Sequence, residues 1–231
     1  MIDYRGFRPK YLKTPQYSHL LLLLFWPVYG IAFYTLERGL PGRVYFPVEC
    51  TFDYYIPFCE WFFIPYLLWF VYLISRVVYG CLFDTEAFRR YMYFIMISYT
   101  VTIVIYMLFP TCQNLRPVYF ERDNLLTQAI AGFYRFDTNT NVCPSIHVLG
   151  SFGVLYGLWH SEHFSSKAWR FSFSLFTVLI SVSTVFMKQH SVIDMIAALL
   201  LCVAVIPLCH RLERNDLLNK QKIKAYKKQV P

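Results

Sequence analysis

The 231-residue sequence reads as an all-α polytopic membrane protein, a six-transmembrane-helix bundle with both termini cytoplasmic. Three features lead there. Apolar and aromatic residues make up 57% of the chain and charged residues 16%, against about 45–50% and about 25% in soluble domains. The apolar residues gather into six stretches, 19–36, 57–79, 90–109, 146–160, 169–187 and 190–208, and a span needs roughly 20 predominantly apolar residues. Lys and Arg, finally, are shared unevenly between the two sets of loops that six spans create. The same composition excludes disordered, collagen-like and disulfide-scaffold classes.

The start, MIDYRGFRPKYLKTPQYSH, is polar and lacks the apolar run of a cleavable signal peptide. The first span opens on the leucines at 20–24, and Pro27 within it, like Pro65 in the second, is a kink that membrane helices tolerate. The intervening loop, RVYFPVECTFDYYIPF, is expected to shape a lipid groove together with spans one and two, with Asp53 as a candidate. The third span ends in FPTCQNLRP. The fourth, 146–160, is short and starts in a polar motif, so its first turn is expected to line a cavity instead of meeting lipid. A tight turn separates the fifth span from the sixth, and a basic tail, 209–231, follows. So little chain remains between spans that 1–231 reads as one domain, with its chemistry in about 90–208.

Alternating the loops across the membrane puts 16 of the 22 Lys and Arg on the side of the two termini and six on the other. Cytoplasmic loops carry the cationic excess, so both termini are expected in the cytoplasm, and the cell membrane is the expected location. The tail HRLERNDLLNKQKIKAYKKQVP is an anchor for anionic lipid. Without a folded reader, no nucleic-acid partner is expected. The seven cysteines form no CxxC pair and no zinc spacing, although Cys112 and Cys143 share a loop and could pair in an oxidising compartment.

Charge is penalised inside a membrane, which singles out the sixth span, KQHSVIDMIAALLLCVAVIPL. An Asp at a helix centre costs about 2.5–3.5 kcal/mol to insert. His190 and Asp194 are spaced i, i+4 and share a helix face. A carboxylate behind an imidazole fixes its tautomer and leaves the other ring nitrogen free as a nucleophile or base. Taken alone, the pair reads equally well as a bond between two helices. Two further clusters shift that balance: Gln113 and Arg116-Pro117 after the third span, and Pro144-Ser145-Ile146-His147 at the start of the fourth. With alternating spans these face the same side as the turn carrying Lys188, so Arg116, Ser145, His147, Lys188, His190 and Asp194 can converge. Two His, an Asp, an Arg and a Lys at helix starts describe a site for an oxyanion such as phosphate. No carboxylate cluster for Mg²⁺ or Ca²⁺ accompanies them, so neither metal nor cofactor is expected. Interfacial anchoring of Arg116, snorkelling of Lys188 and helix capping by His147 are the competing structural explanations.

These clusters, in this order, resemble the type 2 phosphatidic acid phosphatase (PAP2) superfamily of six-span lipid phosphatases and head-group transferases. Its signatures are a Lys seven residues before Arg-Pro, then PSxH, then Ser-Arg followed by HxxxD. Here they fall on Arg116-Pro117, on Pro144 to His147, and on Ser183, His190 and Asp194. The family's Lys falls on Phe109 and its third-motif Arg on Thr184, two departures for which Lys188 and Gln113 are candidate substitutes. The run MKQHSVID is similar to the branch holding inositol-phosphoceramide synthase-like proteins. The resemblance implies a metal-independent phosphatase of a lipid phosphate or diphosphate, acting on the extracytoplasmic leaflet. His190 would be the nucleophile, Asp194 its orienting partner and His147 the acid and base. Arg116, Lys188, Ser145 and Gln113 would hold phosphoryl oxygens. Head-group transfer to an alcohol, and a non-enzymatic transporter or scaffold, are the alternatives.

Overall fold

The computed structural model describes residues 2–38 and 42–229. Five of its helical stretches are long and apolar enough to cross a membrane: Ser18–Arg38, Glu60–Phe83, Thr85–Leu108, Lys167–Phe186 and Val192–Asp216. They contain the helices α1 (Phe25–Arg38, entered through a 3-10 segment Ser18–Leu24), α3 (Phe63–Phe83), α4 (Thr85–Leu108), α7 (Lys167–Phe186) and the start of α8 (Val192–Gln229). The fourth expected span folds as α6, Ile146–Trp159, only 14 residues long. At 1.5 Å per residue that is about 21 Å, short of the roughly 30 Å hydrocarbon core. The basic stretch expected as a membrane anchor lies, from residue 217 onward, outside the described side chains.

Short α6 is the centre of the bundle, packed by α3, α4, α7 and α8. Its sequence, IHVLGSFGVLYGLW, puts glycines at 150, 153 and 157 on the face toward α4. Small residues let membrane helices approach closely, because association there depends on packing instead of water exclusion. A Cβ on Gly157 would lie 2.9 Å from Tyr91 Cβ and 3.0 Å from the Ala87 carbonyl, and one on Gly150 would lie 2.6 Å from Tyr99 Oη and 2.9 Å from Trp69 Nε1. The facing α4 supplies the large buried side chains Phe88, Tyr91, Phe94, Tyr99 and Tyr106. Gly150→Val is accordingly expected to cost about 1–3 kcal/mol through overpacking. Thermal unfolding in detergent checks this, and an unchanged midpoint contradicts the packing.

Two helices form where the sequence was read as loop. α2 (Thr51–Tyr55) sits between the first two spans, and α5 (Leu125–Phe136) follows the third. Asn124 starts α5 with its side chain accepting from the Leu126 and Thr127 amides at 3.0 Å, while Thr127 Oγ1 accepts from the Asn124 amide at 3.0 Å. The expectation of an all-α chain is also modified by a small parallel strand pair, β1 (Phe46–Pro47) and β2 (Thr111–Cys112), in register Phe46 to Thr111. The segment after β2 is zipped to residues 139–141 through Gln113 N–H to Asn139 O (3.0 Å) and Asn141 N–H to Thr111 O (2.6 Å). From α1, the Arg38 guanidinium donates to Phe136 O at 2.7 Å, and Glu37 accepts from Asn141 Nδ2 at 2.8 Å. These bonds tie the chain around both site-bearing loops at one end of the bundle.

Candidate active site

His190 lies in the turn that joins α7 to α8. That turn is closed by one carbonyl, Thr184 O, which accepts the amides of Gln189 (3.0 Å) and His190 (3.1 Å), with Lys188 in the left-handed region at φ 52°. Entry into α8 then brings Asp194 under the ring. His190 Nδ1 meets Asp194 Oδ2 at 3.2 Å, and the same oxygen accepts the Ser191 amide at 2.9 Å. With Nδ1–H committed to the carboxylate, the Nε2 lone pair is the free one. It faces His147 Nδ1 at 3.4 Å.

His147 occupies the first turn of α6, which Ser145 enters as N-cap, its Oγ toward the Val148 amide. The Ser145 amide donates to the Asp194 carbonyl at 3.2 Å, and Tyr106 Oη donates to Pro144 O at 2.6 Å, so α6, α8 and α4 are locked together at this point. The His147 ring is held between two aromatic faces of α3, Tyr66 at 4.5 Å and Trp69 at 4.3 Å between centroids. Nε2 of His147 is buried without a hydrogen-bond partner.

The seven residues singled out in the sequence meet at this end of the bundle, but they are differently employed. The Arg116 guanidinium donates to the carbonyls of Tyr134 (3.0 Å), Asp137 (2.8 Å) and Thr138 (2.7 Å) and to Gln189 Oε1, and lies 4.5 Å over the Tyr134 ring. Lys188 Nζ donates to the carbonyls of Asp53 and Ile56, both at 2.5 Å. Gln113, fully buried, donates from Nε2 to Lys188 O at 2.7 Å and braces the turn that carries His190. Burial pushes the Arg116 and Lys188 pKa values down, opposed by Asp137 and Asp53 respectively. Phe109, at the position of the family's Lys, is 64% exposed, whereas Thr184 is fully buried. The Ser183 hydroxyl donates to Ile180 O at 2.6 Å.

Four residues that sequence reasoning missed complete the shell. Asp137 accepts from Tyr66 Oη and from Gln189 Nε2, each at 2.9 Å, and so connects the Tyr66 ring against His147 to the turn that carries His190. Burial raises its pKa, with the Tyr66 bond opposing. Trp69 is the fourth. Gln189 is a neighbour of His190 in sequence, and that adjacency was the one available signal. Tyr66 and Trp69 are spaced i, i+3, but among so many aromatics the spacing does not mark a site. All seven cysteines are free thiols. Burial, then Asp194, pushes the Cys143 thiol to about 12. Among the described residues no group of three or more His, Cys, Asp or Glu could hold a metal ion.

Chemically, a carboxylate-backed imidazole facing a second imidazole is an arrangement able to supply a nucleophile and an acid–base group. Comparison with known proteins agrees in kind: the sequence model of the PAP2 superfamily matches residues 89–217, a stretch that holds all seven singled-out residues. No curated protein and no solved structure matches the chain.

Proposed function

Because the chain belongs to the PAP2 superfamily, a group of phosphatase- and phosphotransferase-like enzymes, we propose that it is a metal-independent membrane lipid phosphatase working through a phosphohistidine. The observation that carries this reading is the 3.4 Å approach of His190 Nε2 to His147 Nδ1 with Asp194 behind His190. A phosphoryl group enters between the two nitrogens in place of that contact. His190 Nε2 attacks phosphorus, and the P–O bond to the lipid breaks as His147 gives its proton to the leaving oxygen. Asp194 stabilises the positive charge that the ring gains. His147, now neutral, takes a proton from water, which attacks phosphorus, returns His190 and releases inorganic phosphate.

The phosphoryl charge is met by Arg116 and Lys188, each exchanging a backbone carbonyl for a phosphate oxygen, and by the α6 start at Ser145. We take α6 as the sixth membrane segment, both termini as cytoplasmic and the site as opening to the outer leaflet of the cell membrane. The 16-to-6 distribution of cations supports that orientation. The proposal treats the chain as one domain, whose partners are its lipid phosphate substrate and the surrounding lipids, with no nucleic acid.

The test is a panel of lipid phosphates and diphosphates, led by dioctanoyl phosphatidic acid, given to the purified chain in detergent with and without inositol or glycerol. Inorganic phosphate is expected as product, at a rate unchanged by excess EDTA. Phosphoryl transfer to the added alcohol would assign the chain to head-group transfer instead. Loss of activity on chelation would overturn the metal-free mechanism.

A further inference from the structure

The loop between the first two spans lies outside residues 89–217, yet it is fastened to the nucleophile turn from both directions. Asp53, on α2, is fully buried. Its Oδ2 accepts the Ser191 hydroxyl at 2.7 Å and the Cys50 amide at 2.7 Å, and its Oδ1 accepts the Val192 amide at 2.8 Å. In return, Lys188 Nζ donates to the carbonyls of Asp53 and Ile56. Residues 188 to 192, with His190 at their centre, are thus gripped at each end by one short segment.

Capping explains why the grip falls there. The first amides of a helix have no partner within it and carry partial positive charge, so a carboxylate placed there is stabilising. Asp53 takes the Val192 amide, and Ser191 Oγ, itself bonded to Asp53, accepts the Ile193 amide at 3.1 Å. Asp194 takes the Ser191 amide. Ser191 is therefore a junction with one carboxylate on its hydroxyl and the other, the partner of His190, on its amide.

We infer that Asp53 is a positioning residue of the proposed phosphoryl transfer, acting through Ser191 and Val192 to hold His190 and Asp194 in line for attack. This rests on the phosphatase reading above. Asp53 touches neither imidazole in the contacts described, and its effect passes through the backbone of the turn. Misplacement of reacting groups by about 1 Å can cost 100-fold in rate.

Asp53→Asn and Ser191→Ala in the full chain, assayed with dioctanoyl phosphatidic acid, test this. Each is expected to lower kcat per folded molecule by about 10- to 100-fold, with KM within about threefold of the parent. Because the effect of Ser191 passes through its bond to Asp53, the double variant should fall little further than the worse single variant. Thermal unfolding supplies the folded fraction, and Ser191→Ala, which keeps Asp53 on the Val192 amide, serves if Asp53→Asn does not fold. A kcat per folded molecule equal to the parent's, or losses that multiply in the double variant, would overturn the inference while leaving the phosphatase reading intact. A parent chain that turns over no member of the panel removes that reading, and the inference with it.

Discussion

Replacing His190 with alanine is expected to lower phosphate release by at least about 10⁴-fold, because the residue that would carry the phosphoryl group is gone. No neighbour takes its place. His147 is the nearest imidazole, but its ring is held between Tyr66 and Trp69, and no carboxylate is bonded to it to favour the nucleophilic tautomer. The turn itself should survive, since the Thr184 carbonyl, Gln113 and Asp53 fix it through backbone groups and Ser191. The check is phosphate release at saturating dioctanoyl phosphatidic acid, normalised to folded protein. Activity within tenfold of the parent's would remove His190 from the mechanism.

His147→Ala should separate the two chemical steps. With an alkyl leaving group, whose oxygen needs a proton, turnover is expected to fall by about 10²- to 10⁴-fold. With a nitrophenyl phosphate the nitrophenolate departs as a stable anion and needs no acid. The variant should therefore retain a burst of nitrophenolate as His190 is phosphorylated, while steady-state turnover slows because water lacks its base. Equal losses of burst and of alkyl turnover would place His147 in binding or packing, not in proton transfer.

Much of this site was legible in the sequence because charge inside a membrane demands a reason. The i, i+4 spacing of His190 and Asp194 pointed to their contact, although His190 lies in the turn before α8 and not on the helix, and His147 of α6 comes to the same end. What spacing does not encode is which way a long side chain turns. Arg116 and Lys188 read as cations awaiting an anion, yet both are wrapped in backbone carbonyls supplied by residues 134–138 and 53–56. Those loops satisfy their polar groups through contacts distant in sequence, which no local pattern reveals. Asp53, expected in a loop that shapes a lipid groove, instead has its carboxylate bonded to the start of α8. The short fourth stretch expected from the sequence is the 14-residue α6, and its glycines, which meet α4 at the bundle's centre, show that its apolar run serves helix packing.

The two cations also bear on how the site would receive substrate. Each holds carbonyls at hydrogen-bond distance, and a doubly charged phosphoryl group is a stronger acceptor than a carbonyl. Binding then exchanges partners in place and exposes no uncompensated charge, which lowers the cost of keeping a buried Lys188 and a half-buried Arg116 at the edge of a membrane.

The central claim is that the phosphoryl group passes through His190. It is tested most directly by mixing the chain with ³²P-labelled dioctanoyl phosphatidic acid, quenching in alkali within milliseconds, and mapping the label. The account predicts an alkali-stable, acid-labile phosphate on the peptide bearing His190 in the parent chain, absent from His190→Ala. Turnover of the labelled lipid by the parent chain with no label on that peptide would contradict it.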